Sequence, residues 1–173
     1  ESFIRLQREQ LLDILPQRGS FISRIDLQEV EEGLFIRHSL ELSVLKMAIK
    51  EFPKVAIDTM TELLKKQKDS IRSKDYIQFL KFDEMFHKNL FLGCGKAKSW
   101  NIMQEANTQY NRIRMLTLID IDKYDSLLQD HVAIVKAIQE NDFVLAEQTI
   151  NNHLEQLYFE EEILKTKYPN YFV

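Results

Sequence analysis

Glycine, proline and cysteine are scarce in this chain: of 173 residues, 4 are Gly, 3 are Pro, and Cys94 is the one cysteine. So few turn-formers leave little room for the many tight turns of an all-β architecture, and helices become the expected material. A lone thiol excludes an intramolecular disulfide and fits a reducing, cytoplasmic setting. No apolar run approaches the ~20 residues that span a bilayer, and no signal peptide opens the chain, so no membrane partner is expected. Positive charge is short as well. Lys and Arg total 23 against 27 Asp and Glu, a net charge of -4, which argues against a chain that coats nucleic acid along its whole length. The chain begins at Glu1 instead of Met, as a fragment of a longer protein would.

What is present is the composition of a globular protein, 45% hydrophobic and 29% charged, long enough for one sizeable core and a small appendage. Two parts are expected. Residues 1–24 read as a short helix followed by a β-hairpin: Leu12-Asp13-Ile14-Leu15 and Ser20-Phe21-Ile22-Ser23 alternate like strands around Pro16-Gln17-Arg18-Gly19. This part holds four arginines against three acids, so the remainder, residues 25–173, is the more acidic part.

From Asp26 onward the spacing predicts six helices. Asp26 with Glu29 resembles a capping box, and Leu34, Leu40, Val44, Leu45 and Ala48 carry the first helix to about Phe52. Pro53 suits the first turn of the second, which ends near Ser70. Ser73 opens the third, with Ile77, Leu80, Met85 and Leu90 recurring until Gly93-Cys94-Gly95. The fourth spans about Ala97 to Ile119 and the fifth about Tyr124 to Glu140. The sixth runs from an Asp142 N-cap to about Lys165. Short links between such helices make an antiparallel six-helix bundle the natural all-α architecture.

Three of the four histidines fall on apolar helix stripes. Asp83 precedes His87 by four residues, so both project from one helical face, where a carboxylate and an imidazole can share a metal ion. His131 continues the stripe of Leu127, Leu128, Ile134 and Ile138; His153 sits among Ala146, Ile150, Leu154 and Leu157. The turn near Asn141 joins their helices. At ~1.5 Å rise per residue the two imidazoles stand ~15 and ~18 Å from it, close to one level of an antiparallel pair. Any single inward histidine has a plain structural reading as a hydrogen-bonded core residue, and Asp83 with His87 reads equally as a helical ion pair. The four together suit one divalent metal per chain, with zinc the first choice and nickel, manganese and iron open.

Other polar residues have plainer readings. Arg37 and Glu41 share a face at i, i+4 and read first as a surface pair, or with Arg37 turned inward to grip a carboxylate. Arg112 and Arg114 are two apart, so only one of them can point into a bundle. His38 has no partner at ligand spacing and reads as partly exposed. Cys94 lacks a nearby base, Trp100 reads as core, and Lys65-Lys66-Gln67-Lys68 reads as a solvated face.

At this point the pattern resembles a known family. Arg5-Leu6 to Gly19-Ser20-Phe21-Ile22 is similar to the end of a GntR winged-helix domain, the tail of its recognition helix and its wing. Asp26-Leu27-Gln28-Glu29-Val30 and Arg37-His38-Ser39-Leu40-Glu41 resemble the opening of the FadR-type C-terminal ligand-binding domain, the FCD domain, in its VanR-like six-helix form. Asp83, Phe86-His87, Asp130-His131 and Asn152-His153-Leu154 look like its metal signature. The resemblance implies a homodimeric transcription regulator, not an enzyme, whose helical domain binds a small organic acid beside the metal and thereby modulates operator DNA binding. It makes Asp83, His87, His131 and His153 the ligands and Arg37 an effector contact; Arg112 is a further candidate for effector contact from its place in Tyr110-Asn111-Arg112-Ile113-Arg114, and Arg5 and Arg18 are the candidate DNA contacts on the winged-helix remnant. The first part of the winged helix is not in the chain, so DNA binding is implied for the complete protein only. A metalloenzyme using the same site is the alternative, without an evident general base to support it.

Overall fold

The computed structural model of the chain describes residues 1–120, 123–155 and 161–173, with no side-chain description at 118–120 and 161. Helix α1 (Ser2–Arg8) leads into strands β1 (Leu12–Leu15) and β2 (Gly19–Ile22), an antiparallel hairpin with Leu12 opposite Ile22 and Leu15 opposite Gly19. Gln17 and Gly19 take positive φ at its turn. Among the described residues, neither α1 nor the hairpin packs extensively on the helices that follow.

Helix α2 (Leu27–Lys50) begins where Asp26 accepts a hydrogen bond from the Gln28 amide at 2.9 Å, an Asp N-cap in which Glu29 takes no part. Val30, Leu34, Val44, Leu45 and Ala48 form its buried stripe, and Arg37 and Glu41 lie inside that stripe. Helices α3 (Lys54–Ser73) and α4 (Tyr76–Gly93) form a hairpin, and α7 (Tyr124–Glu140) and α8 (Phe143–Glu155) form another. Both hairpins pack on α2, and α3 lies along α7. Pro53 is the N-cap of α3, one residue earlier than its first turn. Ser73 ends α3 instead of opening the next helix. Lys74 turns left-handed at φ 56°, and Asp75 caps α4 through the Gln78 amide at 3.0 Å.

The fourth expected helix divides into α5 (Ala97–Ala106) and α6 (Thr108–Asp120) at Asn107. The division lets both pieces approach α2 closely at Gly33, where a Cβ would lie 3.1 Å from both Ala106 O and Asn107 Oδ1. The sixth is seen as α8 and α9 (Glu161–Lys167), and the stretch expected between them, Leu157 included, lies outside the described residues. Residues 171–173 then pair with Ile25, which donates to Tyr171 O at 2.7 Å and accepts from the Val173 amide at 3.0 Å.

The phase of α4 departs from the spacing read in the sequence. Ile77 and Met85 are 61% and 49% exposed, and the buried stripe is Phe79, Asp83, Phe86, His87, Leu90 and Phe91. This helix is apolar on more than one side, so periodicity alone does not set which side turns inward.

The turn that brings α8 back along α7 depends on Asn141, which is left-handed at φ 54° and caps α7. A β-branched side chain there is strained by about 1–2 kcal/mol, whereas glycine is not. Urea titration is expected to show Asn141→Val less stable by that amount and Asn141→Gly at least as stable as the parent.

Candidate metal centre

Three helices bring one residue or more to a common point in the buried interior. Asp83 and His87 come from α4, His131 from α7 and His153 from α8, all buried, with one candidate ligand atom from each within 4.8 Å of the others. His87 Nε2 and His131 Nε2 are 3.3 Å apart, and Asp83 oxygens lie 3.6 Å from His131 Nε2 and 4.0 Å from His87 Nε2. The Phe86 ring stacks on His131 with centroids 4.3 Å apart and closes that side to water.

Each imidazole is oriented from behind. His131 Nδ1 donates to Gln67 Oε1 of α3 at 2.8 Å. His153 Nδ1 is 3.3 Å from Asp130 Oδ2. His87 Nδ1 lies 2.8 Å from Glu41 Oε2 of α2, a short contact away from hydrogen-bond alignment. An oxygen acceptor at Nδ1 places the ring proton there and leaves the lone pair on Nε2. With that tautomer in both rings, the Nε2 lone pairs of His87 and His131 face each other, with a carboxylate alongside. That arrangement is repulsive by itself and attractive around a cation. Nitrogens held ~2.0–2.1 Å from one tetrahedral ion stand about 3.3 Å apart, which is the spacing of these two. The residues thus fit a divalent metal with nitrogen-rich coordination.

One buried and one part-buried ion pair surround the cluster. Arg37 Nε donates to Glu41 Oε1 at 2.7 Å, and an Arg114 Nη donates to Asp83 Oδ2. The guanidiniums of Arg37 and Arg114 both lie over the Tyr110 ring, 5.1 and 5.5 Å from its centroid. Burial raises the Glu41 carboxyl, but Arg37 and then His87 more than offset it and lower it to about 2. Burial acts likewise on Asp83, where Arg114, His87, His131 and Arg37 outweigh it and hold the group well below its ordinary value. His87 and His131 move by the same cause, and their carboxylate neighbours do not outweigh it. Burial lowers His87 despite Glu41, and burial together with His153 lowers His131 further.

Residues 32–156 match the FCD domain family. The chain belongs to the FCD domain family. This bears out the resemblance to FadR-type GntR regulators. The FCD chain is 27% identical over 157 residues to the HTH-type transcriptional repressor RspR of Escherichia coli (strain K12), covering 91% of itself and 69% of that protein. It is 28% identical over 172 residues to an HTH-type transcriptional regulator of Streptomyces ambofaciens, covering 99% and 72%. Among solved structures, E. coli McbR/YncC superposes with a TM-score of 0.80 at 14% identity, covering 92% of this chain and 82% of that one. Streptococcus agalactiae GntR gives 0.60 at 17%, covering 88% and 76%. Both show the likeness of the fold.

Within this FCD chain the expected surface pair of Arg37 and Glu41 is a core pair. Gln67, read as part of a solvated lysine face, is fully buried and holds His131. Its signal was the i, i+4 and i, i+7 spacing to Leu63 and Met60, obscured by lysines on both sides. Of the two arginines on α6, Arg114 reaches the cluster. Arg112 turns away and donates to Ser23 and Arg24, so it does not join Arg37. Arg5 and Arg18 are exposed on α1 and at the hairpin turn, Arg5 paired with Glu9 at 3.2 Å. His38 is half-buried, its Nε2 2.7 Å from Asn151 Oδ1. Cys94 is half-buried with its Sγ 3.5 Å from Val44 O, and Trp100 is core.

His87 and His131 are depressed in the folded state and ordinary, near 6.5, in the unfolded one. Below about pH 6.5 the unfolded chain therefore binds more protons, and stability falls with acidification by up to about 1.4 kcal/mol per pH unit for each histidine. Thermal unfolding of the metal-free chain between pH 7 and 5 is expected to show this loss, reduced in His131→Gln. A second loss follows below pH 4.5 as Glu41 and Asp83, depressed when folded, become protonated.

Proposed function

We propose that the chain is the sensing part of a cytoplasmic, homodimeric DNA-binding transcription regulator. Asp83, His87, His131 and His153 hold one divalent metal, zinc by preference, and a small carboxylate effector binds beside it. The facing Nε2 atoms of His87 and His131, 3.3 Å apart beside the Asp83 carboxylate and each with an oxygen behind its Nδ1, carry the metal assignment. Regulation of transcription is supported by the family and by the relatives, which are HTH-type regulators.

The metal supplies a fixed positive charge in a dry site. Around it the chain's own residues do the binding work. Asp83 stays ionised against Arg114, Glu41 stays ionised against Arg37, and Tyr110 carries both guanidiniums on its ring. Arg37 uses its Nε on Glu41, and no hydrogen bond of its Nη atoms is found among the described residues, which suits it to a carboxylate from outside the chain. Both buried carboxylates are committed to guanidiniums, so neither is disposed to act as a general base, which favours sensing over hydrolysis. Effector binding regulates only if the effector's affinity differs between the DNA-competent and DNA-incompetent states.

Protein purified without a histidine tag, saturated with zinc and desalted, is expected to keep about one equivalent per chain; less than about 0.3 would overturn the metal assignment, since a site of this donor set is tight. His131→Ala abolishes retention. Gln67→Ala, which removes only the support of His131, lowers zinc affinity about 10–100-fold, as loss of outer-sphere partners does. Carboxylate titration of the zinc-loaded complete protein is expected to change operator affinity. Arg37→Met abolishes that response while zinc stoichiometry is unchanged; an unmoved operator affinity with every carboxylate tried would sink the sensing role.

A further inference from the structure

Arg112 and Gln109 are polar residues on α6 that the metal centre does not use, and their contacts all go to one place. Arg112 Nη2 donates to Ser23 O at 2.5 Å, and its Nη1 lies 3.2 Å from Ser23 Oγ, 3.2 Å from Arg24 O and 3.0 Å from Gln109 Oε1. Buried Gln109 donates through Nε2 to Gln10 O at 3.0 Å, and Ser23 Oγ donates to the same carbonyl at 2.5 Å. Gln10 precedes β1, and Ser23 and Arg24 follow β2. The two side chains therefore hold both roots of the hairpin at once. Residues 171–173 take the next residue, Ile25, in backbone pairing.

The grip matters because, among the described residues, little else joins the two parts besides the pairing of Ile25 and a hydrogen bond from Arg24 Nη1 to Phe172 O at 3.4 Å. Among the described residues, neither α1 nor the hairpin packs extensively on α2 to α9, and Phe3, Ile4, Phe21 and Ile22 are exposed. The opposite side of the same helix faces the centre, where Tyr110 underlies Arg37 and Arg114 pairs with Asp83. At ~100° per residue, the mean direction of 109 and 112 stands about 150° around the helix from that of 110 and 114. A helix moves as a rigid body, so it cannot adjust on one side without shifting the other.

From this we infer that α6 is the connecting element between the centre and the helix–hairpin unit, with Gln109 and Arg112 as its grip on the hairpin roots. A change in how Asp83 holds Arg114 alters the seating of α6 and is delivered to Gln10, Ser23 and Arg24. The inference rests on the Asp83–Arg114 contact and stands apart from metal occupancy.

Amide hydrogen exchange over residues 12–22 of the whole chain tests this by a double-mutant cycle. Arg114→Met is expected to change exchange of the hairpin amides by about threefold or more in the parent, and to have no such effect in an Arg112→Met background. Hairpin exchange unmoved by Arg114→Met, or moved equally in both backgrounds, would overturn the inference. Circular dichroism and α7 protection check folding. Should Arg114→Met fail to fold, Arg114→Lys replaces it, and Gln109→Leu replaces Arg112→Met on the same ground. Zinc chloride alone is expected to act on the hairpin amides in the parent and not in Arg112→Met. Zinc that fails to bind would overturn the metal reading alone, and the Arg114 cycle would still decide the inference.

Discussion

Three imidazoles, the carboxylates of Glu41 and Asp83 and the Arg37 guanidinium are withdrawn from water at the middle of this bundle, with Arg114 and Asp130 at its edge, and the arrangement of the helices follows from having to pair them. Helix α2 contributes Arg37 and Glu41, α3 Gln67, α4 Asp83 and His87, α6 Arg114, α7 Asp130 and His131, and α8 His153. A buried charge that loses its partner costs several kcal/mol, which is a large share of a domain's stability. A one-turn slip of any of these helices would therefore strand at least one charge or ring nitrogen. Apolar packing makes the bundle compact; the polar cluster selects one register for it.

The same constraint explains two local irregularities. The break at Asn107 and the missing side chain at Gly33 let α6 come close enough to α2 for Tyr110 to lie under Arg37. Had α5 and α6 been one straight helix, Arg114 and Trp100 would have been tied to a single axis. Divided, α5 turns Trp100 and Met103 into the core while α6 turns Arg114 to Asp83 and Arg112 to the hairpin roots. One short helix thus serves a charge pair on one side and a domain junction on the other.

Much of this was legible in the chain. The helices, the hairpin and the metal candidates follow from periodicity, turn residues and the wrong-face histidines, because those signals are local. The orienting residues were not legible for a reason visible in each. Gln67 sits among lysines whose charge dominates the segment. Glu41 and Arg37 satisfy each other at i, i+4 whether exposed or buried. Asp130 adjoins His131 in sequence but serves His153 of the neighbouring helix, since adjacent residues on a helix point about 100° apart. The inward phase of α4 was hidden by apolar residues on several sides.

By itself, then, the amino-acid sequence determined the elements, their order and the residue types able to hold a metal, since each rests on interactions within a few residues along the chain. Only the tertiary structure decided that Asp83, His87, His131 and His153 meet at one point, which ring nitrogens of His87 and His131 face each other, and which α6 arginine turns inward. Those depend on distances between helices far apart in sequence, and such distances are set by the packing and polar pairing of the whole interior. The scarcity of glycine and proline foretold the helices, while Gly33 and the break at Asn107 acquired their meaning only once α2 lay against them.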